Sequence, residues 1–464
     1  MQPPGQPFTV VLGLGRSGIG AARLLHRQGH AVLVLESGKG QALEQKAESL
    51  RREGIAVALG APLSSASFEA LTGAPERVIV SPGIRWDHPT LEELRRRGIP
   101  TDGEITIAWE ALQAVPWIGI TGTNGKTTVT HLVAHLLASA GIDAPMCGNV
   151  GFSAAELALE RQGNGQSLPA WLVVELSSYQ IESAPVLAPR IGLWTTLTPD
   201  HLERHGNLNH YRAIKRSLLE HSQVRILNGD DPDLRSHAAS WDHALWVTAG
   251  SQQQARAAGL DPHLWIDNDQ VQASGGAVLD ARALAMPGQH NRQNLLMAVA
   301  VGLQLGLSGT TMEAAFQGFP GVPHRLERIR SLDGVTYFND SKATNYDAAE
   351  VALRAVDGPL VALAGGEAKL GDATAWLEQL QRQAPAVVLF GAAQEPFKAL
   401  LEQAHYNGQI HTVAGLTEAV PLAHALAGRL GCRAVLLSPA CASFDQYRDF
   451  EARGDHFRQL TLAL

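Results

Sequence analysis

Apolar residues in this chain fall into short runs separated by turn-forming residues, and most runs lead into a stretch with helical spacing. Thr9–Leu12 predicts a strand, the glycines after it a turn, and the segment through Leu25 a helix. Ala31–Glu36 (AVLVLE) predicts a second strand. Arg77–Val80 predicts a third, stopped by Ser81-Pro82-Gly83. A new series opens at Pro116, where WIGIT predicts a strand running into GTNGKTT. Beyond it Val129, Leu132, Val133, Leu136 and Leu137 recur on one helix face, and Gly141 sits where a helix stop belongs. Trp171–Leu176, Ile191–Leu197 and Val224–Asn228 predict further strands. After Pro320, Gly321 and Pro323 come Leu360–Ala364, Ala386–Phe390 and Ala434–Leu437, again with helical segments nearby. Segment 240–290 is polar, glycine-rich and weakly periodic, and carries no assigned element. This alternation predicts an α/β fold with parallel, doubly wound sheets.

Length and charge narrow the picture. A chain of 464 residues predicts several domains, and 45% hydrophobic content supplies their cores. The net charge of −8 argues against nucleic acid or an anionic membrane as a partner, local basic pockets aside. No apolar run is long enough to span a bilayer, so no membrane insertion is expected. MQPPGQPFTVV lacks a basic segment followed by a long apolar one, so no signal peptide is expected. Cys147, Cys432 and Cys441 form no CxxC pattern, and reduced thiols in a cytoplasmic protein are the simplest reading. No oligomer interface is evident, and a monomer is expected.

The strongest chemical signal is Gly122-Thr123-Asn124-Gly125-Lys126-Thr127-Thr128 between a predicted strand and a predicted helix. Backbone N–H groups and a helix N-terminus in this arrangement cradle phosphate, with Lys126 bridging phosphates and Thr127 reaching Mg²⁺. The glycines lie at 119 and 122 rather than at 120, so the loop is a variant. Gly13-x-Gly15-x-x-Gly18, followed by Glu36, fits a dinucleotide turn, any diphosphate, or close packing alone. Glu175 ends an apolar strand, which suits a Mg²⁺ ligand as well as a surface cap. His201 and His205 are four apart, as on one helix face. Without HExxH or a cysteine partner they favour one histidine near substrate over a zinc pair. Spacing alone reads Lys215 as a solvated helical lysine. The segments from Asn339 and from Ser438 are polar loops after predicted strands, and Cys441 reads as a packed small residue.

GITGTNGKTT, ELSSYQIE, TPDHLERH followed by YRAIK, GQHNRQN, PHR, NDSKATN and LSPACASFDQYRDFEARGDHF occur in this order. Together they resemble the Mur ligases of peptidoglycan synthesis over nearly the whole chain. The resemblance implies a Rossmann-like UDP-binding domain over 1–102, a central P-loop ATPase-type α/β domain over 103–321, and a C-terminal Rossmann-like α/β domain for the amino acid over 322–464. It implies ATP-driven joining of D-glutamate to UDP-N-acetylmuramoyl-L-alanine, by the specific resemblance of NDSKATN and SPACASFDQ.

The same resemblance implies roles for single residues. Gly15, Arg16, Ser17, Glu36, Ser37, Ser81, Pro82 and Gly83 would hold the UDP part, and Asn149 and His201 the reacting end. ATP would meet Gly122–Thr128, Asn291, Asn294, His324 beside adenine, Arg325 near the γ-phosphate and Asp340 near the ribose. D-glutamate would meet Lys342, Thr344, Lys369, Ser443 and Phe450. Lys126, Glu175, His201 and Lys215 would be catalytic. Two Mg²⁺ ions would be held by Thr127, Glu175, His201 and Lys215, the last as a CO₂-derived carbamate. Closure of the third domain on the second is expected. Two readings from other classes stand beside this one: an NAD-dependent oxidoreductase, resting on Gly13–Glu36, and a regulatory P-loop ATPase.

Overall fold

The computed structural model describes residues 7–163, 167–286, 288–368 and 371–464. The chain packs as two units. Residues before 286, with Gln289–Phe319, form the first; Pro320–Leu464 belong to the second.

The first unit contains two sheets. One has five parallel strands in the spatial order Ala56–Leu59, Ala31–Glu36, Phe8–Leu12, Arg77–Val80, Thr101–Gly103. The other has nine, in the order Gly276–Asp280, Gln270–Ala273, Leu264–Asp267, Leu245–Thr248, Val224–Asn228, Ile191–Trp194, Trp117–Thr121, Leu172–Glu175, Met146–Gly148. The last seven are parallel, and Gln270–Ala273 runs antiparallel to both of its neighbours. The segment without assigned elements therefore builds one whole edge of this sheet. Its hairpin turns at Asn268 and Asp269, both at positive φ, the backbone that two-residue hairpin turns need. The predicted strand Ile191–Leu197 ends early, at Trp194, because Thr195 and Thr196 turn aside to hold the glycine loop.

Val129, Leu132, Val133, Leu136 and Leu137 are all fully buried, as the helical spacing requires. The two sheets share one apolar cluster. Helix Arg16–Arg27 contributes Ala21, Leu24 and Leu25 to it, helix Glu104–Ala111 Ile105 and Ala108, and helix Ala154–Gly163 Ala154 and Ala158. A Cβ at Gly20 would lie 2.8 Å from Ser153 Oγ and 3.4 Å from Ala155 Cβ, so glycine there sets the closeness of the helix contact.

The second unit is a six-stranded sheet in the order Glu327–Leu332, Val335–Asn339, Ala434–Leu437, Leu360–Gly365, Ala386–Phe390, Gln409–Val413, parallel except for the first strand. Side chains alternate as strand geometry demands. Leu360, Ala362 and Leu436 join Trp376, Leu380 and Phe397 on one face. Val361, Leu363 and Leu437 join Leu416, Val420 and Phe457 on the other.

Arg453, fully buried in helix Phe450–Ala463, ties the C-terminal ends of three strands together. Its guanidinium donates to the carbonyls of Ser341, Gly365, Cys441 and Ala442 and to Ser341 Oγ, at 2.9–3.3 Å. Burial pulls its pKa down to about 10. Arg453→Ala should strand several buried carbonyls and cost roughly 3 kcal/mol or more, at 1–3 kcal/mol per unsatisfied group. Denaturant unfolding of the full chain checks this, and an unchanged midpoint would refute the role.

Candidate active site

The glycine loop leaves the buried strand Trp117–Thr121 and enters helix Lys126–Ser139. Gly125 caps that helix at φ 84, a conformation that favours glycine. The loop is held from the neighbouring strand's end. Asn124 N donates to Thr196 Oγ1 at 2.9 Å, Thr123 N to Thr196 O at 2.8 Å, and Thr195 Oγ1 to Asn124 O. A Cβ at Gly122 would run into Thr195 Oγ1. Lys126 folds back, donating to the carbonyls of Gly122 and Thr123, both at 2.9 Å. Asn294 reaches the loop too: its Oδ1 lies 2.8 Å from where a Gly125 Cβ would sit, and its amide donates to Asn291 Oδ1.

Parallel register sets Glu175 opposite Ile120, one strand from the loop. Glu175 is buried; Oε1 accepts from Asn149 Nδ2 at 2.9 Å, and Oε2 has no partner. Lys215, on helix Leu208–His221, is only 1% exposed. This corrects its reading as a solvated lysine. Its amine donates to Gly122 O at 2.9 Å and Thr121 Oγ1 at 3.3 Å and lies 4.6 Å from the Tyr211 ring centroid. No carboxylate pairs with it among the described residues. Burial first, and the charge of Lys126 second, hold its pKa well below the usual lysine range. Thr127 stands in the first turn of helix Lys126–Ser139. His201 and His205 do not share a helix face. His201 precedes the one-turn helix Leu202–His205 at φ 53 and is exposed, whereas His205 is buried.

The residues fit a Mg²⁺ ion in part. The orphaned Glu175 oxygen is a vacant hard ligand, and Thr127 offers a hydroxyl nearby in the loop's helix. Lys215 as an amine cannot ligate a cation; only a carbamate would.

Most of the expected UDP residues line one cleft of about 510 Å³. Gly15, Arg16, Ser17, Glu36, Ser81, Pro82, Gly83 and Asn149 face it; Ser37 and His201 do not line it. Arg16 crosses to Gly151 O at 3.1 Å, and Ser81 Oγ is buried without a partner. Both Glu36 oxygens are engaged by the turn itself, accepting from Leu14 N and Gly38 N at 2.8 Å. Burial works to raise its pKa, but those N–H groups hold it below the usual glutamate range. The acidic residue of the apparent dinucleotide fingerprint thus closes its own loop.

In the second unit, neighbouring strands carry the expected ATP and amino-acid residues to one sheet edge. Lys342 Nζ lies 4.1 Å from the Phe450 ring centroid, and the His324 and Phe450 rings meet edge-on at 6.2 Å. Ser443 is buried and Thr344 half-buried. Arg325 Nε is buried without a partner. Asp340 accepts from Ser438 Oγ and Leu326 N, and burial pushes its pKa up to about 7. Cys441 is buried, as a packed small residue should be. Lys369 lies outside the described residues.

Three family descriptions cover the chain in sequence: "Mur ligase MurD-like, N-terminal domain" over residues 8–103, "Mur ligase middle domain" over 120–302, and "Mur ligase, glutamate ligase domain" over 324–441. A protein of Parasynechococcus marenigrum named UDP-N-acetylmuramoylalanine--D-glutamate ligase is 57% identical over 453 residues, 97% of each chain. The chain belongs to the Mur ligase family. A Synechocystis relative of the same name is 47% identical, over 99% of this Mur ligase and 100% of its own length. By fold, it resembles the MurC ligase of Thermotoga maritima (TM-score 0.58, 18% identity, 99% and 100% coverage). It also resembles folylpolyglutamate synthase of Mycobacterium tuberculosis (TM-score 0.55, 16% identity, 76% and 93% coverage).

Two polar residues of this Mur ligase escaped the sequence reading. Gln180 lines the cleft and forms a capping box with Ser177, a signal present in SSYQ. Its amide donates to Glu104 Oε1 at 3.3 Å. Glu104, the first residue of helix Glu104–Ala111, also bonds Ser17 and is wholly buried. Its Oε2 has no partner, and burial raises its pKa to about 7. An acid with a raised folded pKa favours folding while neutral. Stability from this group is therefore lost as pH rises from about 4.5 through about 7. Glu104→Gln keeps the shape and removes the charge. It should stabilise the chain at pH 8 by up to about 3 kcal/mol and make little difference near pH 4.5. Melting temperature against pH for both proteins measures this; parallel curves would refute it.

Proposed function

We propose that this Mur ligase joins D-glutamate to UDP-N-acetylmuramoyl-L-alanine, driven by ATP through an acyl phosphate. One observation carries the reading. Asn149 faces the cleft that suits the UDP-sugar and donates to Glu175, the carboxylate beside the phosphate loop. In this reading the nucleotide-sugar site and the phosphoryl-transfer site meet at a single side chain.

The chemistry begins with two anions that must approach, the alanyl carboxylate and the γ-phosphate. Lys126 and the helix N-terminus behind it lower that barrier with fixed positive charge. Bound Mg²⁺ would supply further charge neutralisation, held by Thr127, Glu175, His201 and Lys215. The carboxylate oxygen takes the γ-phosphoryl group as its bond to the β–γ bridging oxygen breaks and ADP leaves; the D-glutamate amine then adds to the acyl carbon and loses a proton, and phosphate departs. Lys215 suits carbamylation because a neutral amine is what attacks CO₂, and its site disfavours the ammonium. As a carbamate it would present oxygen rather than a cation.

Within this reading the UDP part lies against Gly15, Arg16, Ser17, Glu36, Ser37 and the turn Ser81-Pro82-Gly83. ATP lies against Gly122–Thr128, Asn291, Asn294, His324, Arg325 and Asp340. D-glutamate lies against Lys342, Thr344, Lys369, Ser443 and Phe450. The working domain limits are 1–102, 103–321 and 322–464, and the enzyme works as a cytoplasmic monomer.

Phosphate release with ATP, Mg²⁺, bicarbonate and UDP-N-acetylmuramoyl-L-alanine tests the reaction. Release and an amide product of the right mass should appear with D-glutamate and not with L-glutamate. Turnover with another amino acid would discard the acceptor assignment. ATP hydrolysis indifferent to the UDP-sugar would discard the ligase. Lys215→Ala should lower turnover by roughly 100-fold or more, as removal of a preorganised charge-stabilising group does. It should also abolish the carbamate signal in ¹³C NMR with labelled bicarbonate. A variant of near-normal activity would refute the lysine's role.

A further inference from the structure

A second group of metal-ligating side chains stands apart from Thr127, Glu175 and Lys215. His205 Nδ1 lies 3.8 Å from Glu182 Oε1, and His210 Nε2 lies 3.6 Å from the same oxygen. All three ligand atoms fall within 4.8 Å of one another. The His205 side chain is fully buried, and its Nδ1 has no hydrogen-bond partner. Its other ring nitrogen is 2.9 Å from Ser178 Oγ. With Nε2–H donating to that hydroxyl, Nδ1 presents a bare lone pair toward Glu182 and His210. A hydrogen bond to the far nitrogen is how ligating histidines are commonly oriented. Arg204 takes the other Glu182 oxygen at 3.2 Å, leaving Oε1 for a second partner.

We propose that Glu182, His205 and His210 form a binding site for a borderline divalent cation of the zinc class, distinct from the magnesium–nucleotide site. Two imidazoles and one carboxylate suit Zn²⁺ or Co²⁺, whereas Mg²⁺ prefers oxygen alone. Ligands about 2.1 Å from a tetrahedral ion sit roughly 3.4 Å apart, so the two measured separations need to close only slightly. His210 is 54% exposed and free to make that adjustment, and it leaves the site an entry path.

The site has a mechanical consequence. Its ligands come from helix Ser178–Glu182, helix Leu202–His205 and helix Leu208–His221. Each adjoins a residue proposed for the reaction: Glu175 shortly before the first, His201 capping the second, Lys215 within the third. One ion would fasten the three together.

The test uses the full chain, stripped of metal and then held in excess Mg²⁺ so that hard-cation sites are filled. Co²⁺ titration should produce a visible d–d absorption that saturates near one equivalent and is displaced by Zn²⁺. Binding should weaken at least tenfold in His210→Ala, an exposed position where folding is safe, and persist in His201→Ala. Absence of the absorption, or its survival in His210→Ala, overturns the proposal. Loss in His201→Ala with retention in His210→Ala assigns the metal to the nucleotide site and overturns it equally.

Discussion

Two lysine amines converge on one carbonyl oxygen. Lys126 and Lys215 each donate to Gly122 O at 2.9 Å. Two cations at that proximity repel, and one is almost wholly buried, so the cost falls on the group that water cannot reach. Lys215 is that group, and the charges of Asp200 and Glu175 offset its burial only in part. The arrangement therefore disfavours the charged form of Lys215. The chemistry proposed for Lys215 rests on this single crowding.

Parallel strand register does the rest of the placement. With Trp117–Thr121 at the centre, its two neighbours deliver Glu175 on one side and Thr195–Thr196 on the other. The threonines hold the loop open in shape, and the carboxylate waits beside it. Sheet twist and helix cover are common to many folds; the residues at the strand ends give this one its chemistry. The second unit repeats the logic, with Arg453 in place of a glycine loop as the tie between strand ends.

The legible parts of the sequence were those where one local rule sufficed. Period-3.6 burial identified helix Lys126–Ser139, and GTNGKTT marked the turn that leads into it. Segment 240–290 failed because its strands form a sheet edge, half exposed and short, with no strong alternation to mark them. His201 and His205 misled because spacing presumes a continuous helix, whereas the chain enters its turn at positive φ, leaving His201 exposed and His205 buried, with both rings against Tyr179. Lys215 could not be read from spacing at all, since burial is a tertiary fact. Glu36 misled in the opposite way: its position matched a dinucleotide fingerprint, but its oxygens are engaged by the backbone of its own turn.

The buried polar residues of the first unit share a further property. Glu104 Oε2, Glu175 Oε2 and His205 Nδ1 are all without hydrogen-bond partners, and burial of Lys215 outweighs the favourable charges of Asp200 and Glu175. Each such deficit costs stability in the ligand-free chain, on the order of 1–3 kcal/mol for an unsatisfied buried group. Packing alone would favour their replacement by apolar side chains of similar volume. Under the proposed function a cation would complete the Glu175 oxygen, and a carbamate would stand in place of the Lys215 amine. Stability withheld from the free chain is returned on binding, and only to the ligand that supplies the missing partner. In that reading the energies that make these groups costly would also select the cofactors that complete them.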